Sequence, residues 1–279
     1  MVVTIIGIGL IGGSLALALK EKGIANHVIG VDNNLSHQQK ALELGLVDEI
    51  KELDDAINQS DLIVLAVPVN ALINLLPQVL NKITHQVVMD VGSTKKGVLD
   101  VIKEHLKREN FVATHPMWGT EYSGPEAAVS GAFKEKATVI CNKEETSEAA
   151  LQLVENIYRQ LGMHLIYMNA NDHDVHVAYV SHISHITSFA LANTVLEKER
   201  EEEAIFELAS GGFESTVRLA KSNPKMWVPI FMENKENVLD VLNEHISQLR
   251  KFKACLEKEN LDYLKDLMVN ANKIKRILK

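Results

Sequence analysis

Four of the chain's 11 histidines lie within thirteen residues, in the run HDVHVAYVSHISH at positions 173–185. Imidazoles this dense could bind a metal ion or exchange protons near neutral pH. On a helix with a rise of about 1.5 Å per residue, however, the first and last rings lie about 18 Å apart. A single metal ion needs ligands at about 2 Å. We therefore expect no metal site in this run.

The same run predicts a polar stripe on a helix. Successive residues turn by about 100°, and one arc of about 120° then holds six polar side chains: His173, Asp174, Ser181, Ser184, His185 and Ser188. A polar arc on an otherwise apolar helix needs a wet or ligand-filled partner. His182 points the opposite way, together with Val175, Ala178 and Phe189, and is interpreted as a packed structural histidine.

Two further polar groups follow apolar runs: Ser93 in DVGSTK and His115 in THPMWGTE. At the carboxyl edge of a parallel sheet, where ligands bind, these two side chains would face each other. An alcohol that loses a hydride needs an acceptor for its hydroxyl proton, and histidine suits that task. His115 is therefore the candidate catalytic residue, with Ser93 holding its ring in one tautomer. The alternative is a strand-end histidine satisfied locally.

The first apolar run leads into GIGLIGGS, residues 7–14, which satisfies the G-x-G-x-x-G pattern. Gly7 allows a tight turn, and Gly9 lets the backbone approach a pyrophosphate. Gly12 permits close packing of the following helix on the strand. The amino terminus of that helix, with Leu10 and Ile11, attracts phosphate charge. We expect these five residues to bind a dinucleotide.

An acidic residue after the second apolar run sharpens this expectation. Asp32 lies twenty residues after the last glycine of the pattern, where a carboxylate binds the ribose hydroxyls. It would repel a 2′-phosphate, and two asparagines rather than an arginine follow it, so NAD is favoured over NADP. Val67 and Pro68, at the end of LIVLAVP, are expected to contact the cofactor. The alternative is an ordinary proline that ends a strand.

The elements that position these residues follow from the hydrophobic pattern. Short β-branched runs recur along the first part of the chain: VVTIIG, HVIGVD, LIVLAVP, QVVMDVG, FVATHP, ATVICN and HLIYMN. Helix-like segments separate most of them, which is typical of a parallel sheet buried on both faces. The later part predicts helices over 172–199, 204–222, 225–256 and 262–278, whose ends are marked by Gly211-Gly212 and Asn223-Pro224. The predicted fold is α/β: a Rossmann-type, doubly wound sheet over residues 1–169, then an all-α domain over 170–279.

Composition excludes several classes of protein. The formal charge is −8 and no Lys/Arg-rich run occurs, which argues against nucleic-acid binding. The densest charge, EKEREEE at 197–203, reads as a solvated helix end or loop. No apolar run approaches about 20 residues, so we expect no membrane span. Two cysteines without a CxxC pair fit a reducing compartment, and we expect a cytoplasmic protein in which Cys141 is a buried thiol.

Five motifs occur in the order and approximate spacing of prephenate dehydrogenases: GIGLIGGS, DVGSTK, HPMWGTEYSG, VSHISH and STVRLAKSNPKMW. The chain resembles this family over about residues 1–245. The resemblance implies an oxidoreductase of tyrosine biosynthesis that converts prephenate to 4-hydroxyphenylpyruvate and CO2 with NAD, and a homodimer formed through the helical domain. Alternatives are an arogenate dehydrogenase, another β-hydroxyacid dehydrogenase, and an NAD-sensing protein without turnover.

The resemblance also implies roles for single residues. His115 takes the hydrogen-bonding role at the substrate's ring hydroxyl, Ser93 supports it, and Arg218 binds a substrate carboxylate. A planar guanidinium suits this last role because it donates two parallel hydrogen bonds to a carboxylate. Ser181 and His185 are implied to contact the substrate.

Further residues are placed around the same pocket. His173 is implied to lie nearer the cofactor or the junction between the domains, and is expected to bind the cofactor. Trp227 closes the far side of the pocket or is plain core. Glu121 gates the site, pairs with a residue of the helical domain, or is a surface carboxylate. Trp118 stands where the family more often has a small residue, and either covers the substrate ring or changes the packing.

Overall fold

The computed structural model describes residues 1–199 and 206–277. The chain divides into two compact units, Met1–Asn234 and Lys235–Lys279. The first unit contains all the candidate site residues. The charged run at 197–203 and the predicted helix over 204–222 fall partly on residues 200–205, which lie outside the described residues.

The first unit is built on one sheet of eight strands: β1 Val2–Ile6, β2 His27–Val31, β3 Glu49–Ile50, β4 Leu62–Leu65, β5 Val87–Asp90, β6 Phe111–Pro116, β7 Ala137–Cys141 and β8 His164–Met168. The strand order is β3-β2-β1-β4-β5-β6-β7-β8. The chain runs outward from β1 to β3, then returns to place β4 on the other side of β1. The reversal confirms the doubly wound fold, in which ligands bind at the carboxyl ends of the strands beside the switch point.

Two features of the sheet differ from the prediction. β3 has only two residues, too short for an apolar run, and was missed. β7 pairs antiparallel to β6, with Ala113 opposite Cys141, so one strand pair departs from the parallel pattern of this mostly parallel sheet. The physical reason is the connection: residues 117–136 contain one short 3₁₀ turn and no crossover helix, which a parallel neighbour requires.

The described part of the first unit contains ten α-helices: α1 Leu10–Glu21, α2 Leu35–Glu43, α3 Leu53–Gln59, α4 Val69–Lys82, α5 Lys96–Asp100, α6 Glu148–Gln160, α7 Ala170–Val177, α8 Ile183–Glu199, α9 Gly211–Val217 and α10 Pro224–Glu233. A π-helical turn, Ala178–His182, joins α7 to α8. The change from strands to helices falls between Met168 and Ala170.

Two predicted helices are interrupted in the structure. The described part of 204–222 contains α9 and a following 3₁₀ turn, Arg218–Lys221, and Gly211 begins α9 rather than ending a helix. The predicted helix over 225–256 breaks at Asn234, and Asn223 caps α10 by accepting a hydrogen bond from the amide of Lys225. Pro224 occupies the first turn of α10, where the missing amide proton costs nothing.

The core lies on both faces of the sheet. Along β4, Ile63 and Val64 point to opposite faces, and both are fully buried. On one face α1 and α6 contribute apolar side chains such as Leu15 and Val154. On the other face α4 contributes residues such as Leu72. This two-sided burial holds the carboxyl ends of the strands, and the side chains they carry, in fixed positions.

The second unit consists of α11, Lys235–Glu257, and α12, Leu261–Ala271, followed by a 3₁₀ turn, Asn272–Arg276. Asn260 caps α12 by accepting from the amide of Tyr263 at 3.1 Å. Several large apolar side chains of this unit are exposed to solvent: Leu249, Leu256, Leu261 and Met268. In the described residues no helix is both long enough and apolar enough to cross a membrane.

Candidate active site

The glycine loop lies between β1 and α1, and each glycine has a different steric setting. Gly7 has φ +94°, and a Cβ there would lie 2.5 Å from the carbonyl oxygen of Ala66. A Cβ on Gly12 would lie 2.0 Å from the carbonyl oxygen of Gly7. A Cβ on Gly9 meets nothing within 4 Å. Gly7 and Gly12 are thus required by the fold, whereas Gly9 borders open space into which a ligand fits.

Asp32 lies at the carboxyl end of β2, directly beside this loop. Its Oδ2 accepts a hydrogen bond from the amide of Ile8 at 2.9 Å, and its Oδ1 accepts from Asn34 at the same distance. The free amides of the first turn of α1, at Leu10 and Ile11, have no acceptor within the helix. Backbone donors for a pyrophosphate and a fixed carboxylate for ribose hydroxyls therefore lie together, which suits a dinucleotide.

The end of β4 forms the other side of the switch point. Val67 is half-buried and Pro68 is exposed. A Cβ on Gly7 would lie 2.9 Å from Cγ1 of Val67, so the end of this strand lies against the glycine loop. Both residues therefore lie at the edge where the sequence places them.

A chain of hydrogen bonds connects His115 to α7. Nδ1 of His115 lies 2.9 Å from Nε2 of His173, and Nδ1 of His173 lies 2.7 Å from Oδ1 of Asp174. The two imidazole rings meet edge to face, with centroids 5.1 Å apart. His173 is fully buried and His115 is half-buried. Nε2 of His115 has no hydrogen-bond partner among the described residues.

The carboxylate of Asp174 decides which nitrogen donates and which accepts in each of these hydrogen bonds. An ionised Asp174 only accepts, so Nδ1 of His173 carries a proton. Burial, partly opposed by the hydrogen bond to Asp174, lowers the pKa of His173 below its ordinary value. A neutral His173 has an unprotonated Nε2, which accepts from Nδ1–H of His115. The remaining nitrogen of His115, Nε2, then presents a lone pair.

His115 is itself neutral at ordinary pH. Burial comes first among the causes that hold the pKa of His115 well below 6.5, followed by His173, which disfavours a second charged ring beside it, and by the Lys95 ammonium. A neutral imidazole with a free Nε2 lone pair is a proton acceptor, which is the chemistry expected of a general base.

Two sequence predictions about the hydrogen bonds of His115 and His173 need correction. Ser93 was expected to hold the ring of His115, but within the described ranges the ring is held by His173 and makes no hydrogen bond to Ser93. His173 was expected to bind the cofactor. It is fully buried and both of its ring nitrogens are bonded within the protein, so no atom remains for a ligand. A hydrogen bond between residues 58 positions apart leaves no signal in local spacing.

Asp174, Lys95 and Asp90 were missed by the sequence reasoning as site residues. Asp174 accepts from the backbone amides of Lys95 and Lys96 at 2.8 and 2.9 Å. The Lys95 ammonium forms a fully buried ion pair with Asp90. The signal was present in DVGSTK, where an acid ends an apolar run and a lysine follows five residues later.

Trp227 stacks on the helix that carries the histidine run. Its ring lies 3.4 Å from that of His185 with an interplanar angle of 25°, and it meets His182 edge to face at 6.0 Å. Nε1 of Trp227 is buried and has no hydrogen-bond partner among the described residues. Nδ2 of Asn234 donates to the carbonyl of Asp174 at 2.6 Å and lies 3.2 Å from Nδ1 of His182.

The predicted packing of His182 is confirmed, because its side chain is buried. His182 and His185 both contact Trp227, as neighbouring i and i+3 positions of one helix can. The π-helical turn that ends at His182 shifts the phase of α8 relative to α7, because i→i+5 bonding underwinds the backbone. The carbonyl of half-buried Ser181 accepts from Nδ1 of His185 at 3.0 Å.

Arg218 and Glu121 form an ion pair at 2.9 Å, between the turn that follows α9 and the loop that follows β6. Of the alternatives for Glu121, pairing with a residue of the predicted helical domain is the one observed. Its own backbone amide and the Arg218 guanidinium keep the pKa of Glu121 below its ordinary value. The Arg218 side chain is 50% exposed, so its guanidinium remains open to another anion.

Two other predictions concern packing and metals. Trp118 is partly buried against the core and meets Phe133 edge to face at 5.6 Å, which is the packing alternative. Burial raises the pKa of the Cys141 thiol to about 12, and the thiol is free, as predicted. Over residues 1–199 and 206–277, no three His, Cys, Asp or Glu side chains are grouped as a metal site requires.

Comparison with known proteins places this geometry in a family. The sequence profile "Prephenate dehydrogenase, nucleotide-binding domain" matches residues 15–167, and "Prephenate dehydrogenase, dimerization domain" matches 169–270. A prephenate dehydrogenase of Bacillus subtilis is 30% identical over 262 residues, which are 92% of this chain and 71% of that protein.

Solved structures of prephenate and arogenate dehydrogenases are also similar to this protein. The prephenate dehydrogenase from A. aeolicus, crystallised with hydroxyphenyl propionate and NAD+, superimposes with a TM-score of 0.89 at 31% identity, covering 99% of this chain and 97% of that one. An arogenate dehydrogenase from Synechocystis gives 0.78 at 25% identity, covering 100% of both chains. Since the first profile alone matches more than half of the residues, the chain belongs to the prephenate dehydrogenase family.

Proposed function

We propose that this protein is an NAD-dependent dehydrogenase that converts prephenate to 4-hydroxyphenylpyruvate and CO2, a step of tyrosine biosynthesis. The observation that carries the proposal is the chain from Asp174 through His173 to His115, which leaves Nε2 of His115 as a free proton acceptor. Membership of the prephenate dehydrogenase family supports the substrate, and the NAD+ bound to the A. aeolicus enzyme supports the cofactor.

His115 performs the proton chemistry. The bound cofactor supplies the acceptor for the hydride that leaves the carbinol carbon. As the hydride leaves, Nε2 of His115 accepts the hydroxyl proton, and the imidazolium is stabilised through His173 by Asp174. Loss of the ring carboxylate as CO2 leaves its bonding electrons in the ring, which becomes an aromatic phenolate. His115 then returns the proton to that oxygen, so no net proton is released.

We assign substrate binding to the groups around His115. Arg218 binds a carboxylate of prephenate through its exposed guanidinium, and Glu121 holds that guanidinium in place until the substrate arrives. Trp227 stacks on the ring of His185 and closes the far side of the pocket. His185 and Ser181 complete this side of the pocket. Ser93, at the carboxyl end of β5, assists His115 through the substrate rather than by a direct bond.

Cofactor binding is assigned to the switch point. The pyrophosphate is assigned to the glycine loop, over Gly7, Gly9, Gly12 and the amides of Leu10 and Ile11. Asp32 accepts hydrogen bonds from the adenosine ribose. Val67 and Pro68 border the cofactor at the end of β4. The open space at Gly9 and the fixed carboxylate of Asp32 support this placement.

A second candidate is arogenate dehydrogenase, favoured by the similarity to the Synechocystis enzyme. Arogenate has an amino group where prephenate has a keto oxygen. The test is initial rates of reduced-cofactor formation with prephenate and with arogenate, each with NAD and with NADP. The proposal predicts the highest kcat/KM with prephenate and NAD. A higher value with arogenate would establish the second candidate, and no turnover with either would refute both.

We also propose the surroundings in which this activity occurs. A substrate-binding and dimerising domain begins at residue 170, and two chains associate through it, as the dimerization profile over 169–270 supports. The free, buried cysteines support a cytoplasmic location.

A further inference from the structure

A buried ion pair adjoins His115 without reaching solvent. The side chains of Lys95 and Asp90 both have 0% exposure. The Lys95 ammonium also donates to the carbonyl of Thr114 at 2.7 Å, and Oδ1 of Asp90 accepts from the amide of Thr114 at 3.0 Å. The pair therefore holds both backbone groups of the residue that immediately precedes His115.

The backbone amide of Lys95 also contacts Asp174, the residue that ends the row of hydrogen bonds from His115 through His173. The Lys95 amide donates to Oδ1 of Asp174, the atom that also accepts from Nδ1 of His173. The amide of Lys96 donates to Oδ2 of Asp174. Lys95 thus connects β6, which carries His115, with α7, which carries His173, and each connection is buried.

Packing alone does not explain a charged pair here. Removing two charges from water is costly, and apolar side chains of similar volume fill such a space as well or better. The surrounding cluster on this face of the sheet is apolar. Since neither side chain has any exposed surface, neither touches a substrate or a cofactor. Any contribution to the reaction must pass through His115 and His173.

We propose that Lys95 is a positioning residue for the catalytic histidine. By fixing Thr114 on one side and Asp174 on the other, it holds Nδ1 of His115 on Nε2 of His173 and keeps the Nε2 lone pair of His115 free. The kinetic consequence rests on the proposed function, whereas the position and tautomer of His115 do not.

The Lys95 ammonium also favours the neutral form of His115. The groups that face it are His173 and Asp174 on α7, His182 in the π-helical turn, and the pair of Lys95 and Asp90 at the end of β5. After burial and the neighbouring His173, the Lys95 ammonium is the next contributor that lowers the pKa of His115. A positive charge in this position disfavours the imidazolium before substrate binds.

The test replaces the pair by neutral side chains of similar size, Asp90→Asn together with Lys95→Met, so that no buried charge is left unpaired. Nitrogen-15 NMR of labelled histidine in the free protein measures the tautomer and the pKa of His115. We expect the wild type to keep its proton on Nδ1 through neutral pH. We expect the double variant to show mixed tautomers and a higher pKa, and a kcat lower by about 10- to 100-fold with KM little changed.

Two further variants separate positioning from folding. Asp90→Asn with Lys95→Gln retains a donor in the same place and is expected to recover part of the Nδ1 tautomer and of kcat. The matched control is the exposed pair, Asp54→Asn with Lys82→Met, which is expected to leave every value unchanged. A folded double variant with the wild-type tautomer and pKa of His115 would overturn the proposal. A wild type inactive with prephenate would contradict the proposed function alone, because the NMR result stands without substrate.

Discussion

At the scale of single residues, the site depends on which nitrogen of His115 is free. The hydrogen bond from Nδ1 to His173 occupies one nitrogen and leaves Nε2, where we propose that the substrate's hydroxyl group binds. In His115→Asn the side-chain amide is still able to donate to His173, but it cannot accept a proton. We expect kcat to fall about 10²- to 10⁴-fold and the Kd for NAD, measured by fluorescence titration, to stay unchanged. A variant with near-normal turnover would remove His115 from the proton transfer.

The lowered pKa of His115 predicts the acid limb of the pH profile. The base acts only when neutral, so activity is lost as pH falls through the pKa of His115 in the free enzyme. Burial and the neighbouring charges place that pKa well below 6.5. We therefore expect kcat/KM, measured between about pH 5 and pH 9, to retain more than half of its maximum at 6.5. A half-maximal value at or above 6.5 would show that His115 is not held neutral as described.

Arg218 tests substrate binding rather than proton transfer. A charge-assisted hydrogen bond contributes about 1.5–3 kcal/mol, so Arg218→Ala should raise the KM for prephenate roughly 10- to 100-fold while kcat changes less. Arg159→Ala is the matched control, because Arg159 forms an exposed ion pair with Glu155 on α6, away from the site. A loss confined to kcat would argue against carboxylate binding by Arg218.

At the scale of elements, the glycine loop separates two roles that the sequence pattern combines. A methyl group at position 12 would overlap the carbonyl of Gly7 and push α1 away from β1, whereas one at position 9 meets no protein atom. We expect Gly12→Ala to lower both the Tm and the affinity for NAD. Gly9→Ala should keep the Tm and lose the affinity, since the methyl group fills the space needed by the pyrophosphate. Thermal unfolding and NAD titration of both variants test this prediction. It would be contradicted if the two variants had the same Tm and the same affinity for NAD.

The sequence patterns predicted the secondary-structure elements more accurately than the contacts that those elements and their side chains make. All seven apolar runs contain a strand. Six of these strands are mostly buried, as continuous β-branched runs indicate, whereas β8 is mostly exposed. The pairing of β7 depends on the loop before it, and the missed β3 has two residues. In the candidate site, His115 and Arg218 were identified as candidates from position and motif, and their roles stay predictions. The partner of His115 was not, because a contact across 58 residues and an underwound turn lie beyond any local period.

At the scale of the whole molecule, the second unit presents a row of apolar side chains to solvent. Leu249 is 55% exposed and Leu256 is 67% exposed, and they lie seven residues apart on one face of α11. Exposed apolar residues in such a row are typical of an interface. The dimerization profile extends over this helix. Association of two chains through α11 would remove both side chains from water.

Light scattering tests this association directly. We expect the wild type to have twice the chain mass of 31.0 kDa. Leu249→Glu with Leu256→Glu would place four like charges in the interface of a dimer, two from each chain, and should give the mass of one chain. Leu106→Glu, at a leucine that is 98% exposed in the first unit, is the control and should keep the wild-type mass. A double variant that remains dimeric would place the interface on another surface, because buried, unpaired glutamates of like charge cannot face each other across a close contact.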